Sequence, residues 1–248
     1  MFNLNEGLFY FLFNGKETDW RAYLTYISFI LITILSAYFL GSINSAIIFS
    51  KVVYHDDIRK HGSGNGGMTN MLRTFGLGAA GLTLAGDLLK TVISISVAGV
   101  LFGFNYVGGI SCGTGFCYVA GFFAVIGHVF PIYYKFKGGK GVLATATMAL
   151  VLTPVPFAIL LLLFIAIVAI SKYVSLGSVT VAILYPVLVH GYFTVTFPIY
   201  EKSTPGFTAL TTILLAIFIV WSHRENLKRI SNRTERKISF KKKEKRDE

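Results

Sequence analysis

The sequence predicts an all-α integral membrane protein. Three observations carry that expectation: how little charge the chain holds, how long its apolar runs are, and on which side of them the cations fall. Of 248 residues, 54% are apolar and 14% charged, where soluble globular domains are nearer about a quarter charged. The mean hydropathy is +0.63, which leaves too little polar surface to cover a globule of this size in water. The same figures exclude a disordered chain. The balance of 23 Lys plus Arg against 12 Asp plus Glu would suggest nucleic acid in a soluble protein. Its distribution points elsewhere: residues 223–248 alone hold eleven cations and five anions, a tail suited to the anionic lipids of a membrane surface. No nucleic-acid partner is expected.

A bilayer core about 30 Å thick takes about 20 apolar residues of helix to cross. The first such run is Tyr23–Ser50. Met1–Gly7 has no cation and the apolar piece Leu8–Phe13 is short, so this span is expected as a retained anchor and not a cleaved signal. Phe2–Phe13 is an aromatic segment suited to the outer interface. The second run is Leu77–Phe102, with Asp87 and Lys90 inside it, and the third is Phe116–Tyr134. After Lys140 an apolar run continues to Ile170. As one helix it would be about 45 Å long, more than the membrane needs. Pro154 and Pro156 divide it into two, and the positive-inside rule favours the division. Two further runs, Tyr173–Phe193 and Phe207–Trp221, then make seven spans. In that arrangement the segments 51–76 and 135–140, Lys172 and the tail share one side, and with it 19 of the 23 cations. An undivided run would put Lys172 and the basic tail outside. Seven transmembrane helices are therefore expected, amino terminus outside and carboxy terminus cytoplasmic. Residues 1–222 read as a single membrane domain, and 223–248 as a cytoplasmic tail in which His223–Arg229 precedes a polybasic end.

This topology gathers the segments richest in glycine and polar side chains on the cytoplasmic face, where a simple anchor has no use for them. The strongest is Arg59–Gly76, RKHGSGNGGMTNMLRTFG. Gly62 and Gly64 free the backbone to approach a ligand, as in an anion-binding nest. Ser63, Asn65, Thr69 and Asn70 add donors, and Arg73 can grip a phosphate or carboxylate bidentately. A helix starting near Met68 would aim its dipole at the same anion. Glycine content alone fits a flexible connector equally well. The second segment is Phe136–Val142, FKGGKGV, in which Lys137 and Lys140 flank Gly138 and Gly139. It is not a P-loop, whose pattern would need glycine at Tyr134 and Ser or Thr at Gly141. It reads as a cationic, glycine-flexed approach to a helix amino terminus.

His128 lies near the cytoplasmic end of the third span, either as a hydrogen-bonded structural group or as a base. Asp87 and Lys90 sit at i and i+3 and can pair. Ser175, Ser178, His223, Arg224, Glu225, Asn226 and Arg229 complete the cytoplasmic set. Cys112 and Cys117 lack CxxC metal spacing and are expected as packing residues, with a single bridge as the alternative. No HxxxxD or metal-ligand spacing occurs, so no metal or other cofactor is expected. What remains is two anion sites beside lipid. They suit an enzyme acting on phosphorylated, partly lipophilic substrates. A transporter for a phosphorylated metabolite is the rival reading, although the outer loops carry few polar residues or cations.

In order along the chain stand GSINSA (Gly41–Ala46), HGSGNGGMTNMLRTFG (His61–Gly76), DLLK (Asp87–Lys90), GHVFPIYYKFKGGKGV (Gly127–Val142), SLGS (Ser175–Ser178) and HRENLKR (His223–Arg229). Together they resemble the bacterial acyl-phosphate:glycerol-3-phosphate acyltransferases, the PlsY family. The chain departs from that family's usual residues at Asn44, Gly66, Met68, Thr91, Leu143 and Arg233. The resemblance implies transfer of a fatty acyl group from acyl-phosphate to the 1-hydroxyl of sn-glycerol 3-phosphate, giving lysophosphatidate and phosphate. It also makes the enzyme that produces acyl-phosphate a candidate partner. On that reading Ser63, Asn65, the loop amides and Arg73 hold one phosphate. Lys137, Lys140 and the Gly138 and Gly139 amides hold the other. Ser178, His223 and Asn226 close the pocket, and the base is His128 or a substrate phosphate.

Overall fold

The structure, a computed structural model, describes residues 7–13, 20–103, 112–196 and 204–238. Among the described residues every regular element is a helix. α1 (Gly7–Phe13) is a short aromatic helix, and its Phe9 ring meets Tyr26 and Phe29 edge-on. The first expected span is present as two pieces, α2 (Trp20–Ser42) and α3 (Ser45–Val53). Averaged over a span length, the apolar run reads as continuous across this break. Its cause is Asn44, whose backbone is extended and whose side-chain oxygen accepts the Ile47 N–H at 3.0 Å, capping α3. A short amide side chain competes with the helix backbone in this way.

α4 (Met68–Phe75) follows the first glycine loop and starts where expected. α5 (Leu77–Phe102) matches its expected span end to end, and α6 is Cys112–Val129. The long apolar run breaks at Thr153 into α7 (Val142–Leu152) and α8 (Pro154–Ser171). Pro154 has no N–H to continue α7, but its fixed φ suits the first position of α8. α9 (Val174–Thr196), α10 (Thr204–Ser222) and α11 (Arg224–Ser231) complete the chain.

Five helical stretches among the described residues are long and apolar enough to cross a membrane. With the shorter apolar helices α7 and α10 they pack as a bundle: α2 lies along α5 and α6, α7 against α5 and α6, and α9 between α8 and α10. Small residues set the crossing of α2 with α6. A methyl group on Gly41 would lie 2.2 Å from the Ala124 carbonyl, and one on Gly127 2.3 Å from the Tyr38 carbonyl. Within a bilayer, helices gain attraction from such backbone approach because lipid already satisfies apolar side chains. The common core includes Ile95, Tyr118, Val125, Met148, Leu152, Tyr185 and Leu215. Outward faces stay apolar, as at Leu162, Ile170 and Val187. Cys117 is a buried free thiol in this core.

The break at Thr153 returns the chain to the end it left. Lys140, just before α7, donates to Asn226 of α11, and Asn226 Nδ2 donates to Ser175 Oγ at the start of α9 at 2.9 Å. The starts of α7 and α9 therefore meet at one end of the bundle. Residues 223–238 fold onto that same end, where the Ile238 N–H reaches the Lys172 carbonyl at 2.9 Å. The end of the tail, including Lys241–Arg246, lies outside the described residues. In a chain with Cys112 and Cys117 replaced, single cysteines at Lys137 and Lys172 should react with a membrane-impermeant thiol reagent from the same side of sealed vesicles. Labelling from opposite sides would contradict the return.

Candidate active site

Asn70 shapes the first glycine loop. It is buried on α4, and its Nδ2 donates to the carbonyls of Ile58 (3.2 Å), His61 (3.0 Å) and Asn65 (3.1 Å), while its Oδ1 accepts the Ser63 N–H at 3.2 Å. Gly62 and Gly64 take positive φ of 58° and 73°, as a loop wound around one side chain requires. The expected ligand-binding role of Asn70 is thus replaced by a shaping one, since its polar atoms are already committed. Among the described residues nothing accepts the N–H groups of Asn65, Gly66, Met68 and Thr69. The last two are orphan donors of the first turn of α4. Ser63 stands exposed beside them. Asp56 and His61 pair at 2.5 Å and Asp57 holds Arg59 at 2.6 Å, anchoring the loop's entry.

The second loop presses against the end of α6. The N–H of Gly138 donates to the Val129 carbonyl at 3.2 Å and that of Gly139 to the His128 carbonyl at 3.1 Å. These two amides, expected as phosphate donors, are therefore used within the protein. The glycines serve close approach instead, because a methyl group on Gly139 would lie 2.0 Å from His128 Nε2 and 3.0 Å from the Gly66 carbonyl. The two glycine loops meet at that point. Beyond it the lysines diverge: Lys137 is exposed, whereas Lys140 turns inward to Asn226.

Around Lys140 the tail builds a network that the sequence left unseen. Glu235 has a side chain only 5% exposed. Its Oε1 accepts from Asn226 Nδ2 and Ser175 Oγ, both at 2.7 Å, and its Oε2 from Arg229 at 2.8 Å. Arg73 reaches the same strap, donating to the Arg236 carbonyl at 3.1 Å. Burial pushes the Lys140 ammonium down to about 8, with Glu235 opposing and Arg229 and Arg73 adding repulsion. Burial raises the Glu235 carboxyl, but the bonds from Arg229, Asn226 and Ser175 outweigh it and hold the group below its ordinary value. Ser178 is buried and donates to its own helix, to the Val174 carbonyl at 3.0 Å. His223 places Nδ1 2.8 Å from the Ile219 carbonyl. That nitrogen must carry the proton, so Nε2 is left as an acceptor. Burial and then Lys140 push the His223 ring down to about 4, so it is neutral at ordinary pH.

Beneath both loops lies the Asp87–Lys90 pair, with Nζ and Oδ1 2.8 Å apart as the i, i+3 spacing suggested. Ser45 Oγ donates to the same carboxylate oxygen at 3.1 Å. Lys90 Nζ also donates to the Ile43 carbonyl at 2.7 Å and stands 2.9 Å from His128 Nδ1. An ammonium only donates, so Nδ1 accepts and Nε2 carries the proton. His128 in this arrangement has no free lone pair with which to act as a base. Among the described residues no three His, Cys, Asp or Glu side chains form a group able to hold a metal.

Residues 31–233 match the family model for glycerol-3-phosphate acyltransferases. The glycerol-3-phosphate acyltransferase of Mycoplasmopsis agalactiae is 39% identical over 225 residues, covering 82% of this chain and 91% of its own. That of Bacillus subtilis is 36% identical over 211 residues, covering 85% and 98%. Among solved structures, the integral membrane glycerol 3-phosphate acyltransferase PlsY in its glycerol 3-phosphate form superposes with a TM-score of 0.70 at 28% identity, over 85% of this chain and 96% of that one. Its lysophosphatidic acid form gives 0.69 at 27% identity, over 85% and 95%.

The contrast between Asn70 and Ser63 is measurable. Asn70→Ala removes the amide that gathers three carbonyls. It should cost about 2–3 kcal/mol, or about 5–10 °C in the melting temperature of the detergent-solubilised protein. Ser63→Ala, exposed on the same loop, should shift it by less than about 1 °C. Equal shifts would contradict the role given to Asn70.

Proposed function

This chain belongs to the glycerol-3-phosphate acyltransferase family, and we propose that it transfers a fatty acyl group from acyl-phosphate to the 1-hydroxyl of sn-glycerol 3-phosphate. The observation that carries the reading is the placement of Lys140. A half-buried ammonium, with Arg73 and Arg229 close enough to perturb it, stands where two glycine loops converge and the first turn of α4 offers unpaired amides. Such an array favours polyvalent anions in a site of low dielectric.

The chemistry needs little else. The hydroxyl oxygen attacks the carbonyl carbon of acyl-phosphate, the bond from that carbon to the phosphate oxygen breaks, and phosphate departs with the electron pair. The hydroxyl proton passes to a phosphate oxygen of the substrates, since His128 is closed off by Lys90. His223 Nε2 accepts from the hydroxyl and orients it, while its low basicity keeps it from taking the proton outright. The Asn65, Gly66, Met68 and Thr69 amides, Ser63 and Arg73 hold one phosphate, and Lys140 the other. Their alignment of the two reactants supplies most of the rate through proximity. Asn226 and Ser178 line the pocket, and Glu235 holds Asn226 and Arg229 in place.

The placement of the cations and the return of α7–α8 to one end support seven spans, with the amino terminus outside and this site facing the cytoplasm of a bacterial cell membrane. The basic tail then meets anionic lipid, and the enzyme that makes acyl-phosphate is a natural neighbour.

Purified protein given acyl-phosphate and glycerol 3-phosphate should release phosphate and form lysophosphatidate, with little product from acyl-CoA. A transporter would release no phosphate. Lys140→Ala should lower kcat/KM by about 10- to 100-fold, about 1.5–3 kcal/mol of charge-assisted bonding. Because the Lys140 ammonium sits near about 8, it is charged below that pH and neutral above it. The KM for the phosphate it holds should therefore rise as pH passes 8, and Lys140→Arg should move that rise to higher pH. A KM flat through pH 9 in the unmodified enzyme would contradict the assignment.

A further inference from the structure

Lys90 lies too deep to touch a substrate, yet its three N–H donors reach three elements: Asp87 Oδ1 of α5 at 2.8 Å, the Ile43 carbonyl at the α2–α3 break at 2.7 Å, and His128 Nδ1 of α6 at 2.9 Å. From each of the last two a chain of contacts runs upward. Ile43 precedes Asn44, whose Nδ2 donates to the Gly66 carbonyl of the first loop at 3.1 Å. His128 takes the Gly139 N–H on its carbonyl at 3.1 Å and lays its ring against Gly139. The two chains join, because Gly139 leaves no room for a methyl group between His128 and Gly66. Lys90, Ile43–Asn44, Gly66, Gly139 and His128 thus form a closed ring of contacts spanning both loops.

We propose that Lys90 is a positioning residue for acyl transfer: it fixes the distance between the two anion sites, and so the approach of hydroxyl to acyl carbon, without binding either substrate. This rests on reading the two loops as the substrate sites. Ser45, by donating to Asp87 at 3.1 Å, holds the same break from its other side. A group that sets relative position alone affects kcat, whereas one that binds a phosphate affects KM.

The test replaces the buried pair with apolar residues of similar volume, Asp87→Leu/Lys90→Met, which leaves no unpaired charge inside. In reconstituted enzyme, kcat should fall by about tenfold or more while KM for each substrate stays within about threefold. Glycerol 3-phosphate should still raise the melting temperature as it does for the unmodified protein, which shows that the protein assayed is folded and binding. A kcat within about twofold of the unmodified enzyme, or a KM that rises in step with the loss, overturns the proposal. Asn44→Ala severs the other limb without touching a charge, and decides the matter if the double variant does not fold. Its kcat should fall by about threefold or more at unchanged KM, and an unaltered kcat overturns the proposal. The triple variant should be slower than the double by less than about twofold, because one ring is broken only once. No phosphate release by the unmodified chain would overturn the underlying reading, and this inference with it.

Discussion

An ammonium carried into a helical bundle has no water to satisfy it, and Lys90 meets that constraint by giving each N–H a separate acceptor on a separate element. Lone buried charges are costly, and breaking such a pair leaves its partner stranded. The elements that touch Lys90 are therefore tied to one another. They are the break between α2 and α3, the middle of α5 and the end of α6, and both glycine loops stand on them. The polar surface at this end of the bundle is built over a charge that never reaches it.

Above that base, the proposed site would divide its anion-binding work between backbone amides and a side chain. Backbone amides contribute on the first loop, where Asn70 winds the chain so that N–H groups before and at the start of α4 stay unpaired. On the second loop the amides are consumed by the end of α6, and only the Lys140 side chain is delivered inward. The tail supplies the counterweight. Glu235 neutralises part of the field of Lys140, Arg73 and Arg229, which lets three cations stand together. An arriving phosphate finds that field already assembled, and little reorganisation is needed.

Much of this was legible in the sequence, for reasons that also mark its limits. Span positions follow from apolar runs, and the division at Pro154 from proline's missing N–H together with the charge rule. The Asp87–Lys90 pair follows from helical spacing. His128 could not be joined to it, since the contact closes over 38 residues of chain. Asn44 breaks a helix inside a run whose average hydropathy stays high across Trp20–Val53, because a side-chain cap is a local competition that a long window does not record. Glu235 was hidden in a tail whose charges all look solvated; its one distinguishing sign was a carboxylate set among Arg229, Arg233 and Arg236. Gly138 and Gly139 are ambiguous in the sequence, since close approach and open amides leave the same mark on it.

A structure with glycerol 3-phosphate and inorganic phosphate bound together measures where each phosphate sits. One phosphate should lie on the first-turn amides of α4 with Arg73, and the other on Lys140 Nζ, with Lys90 still bonded to Ile43, Asp87 and His128. Phosphates bound only at the exposed Lys137 and the tail, with Lys140 still turned to Asn226, would contradict this placement.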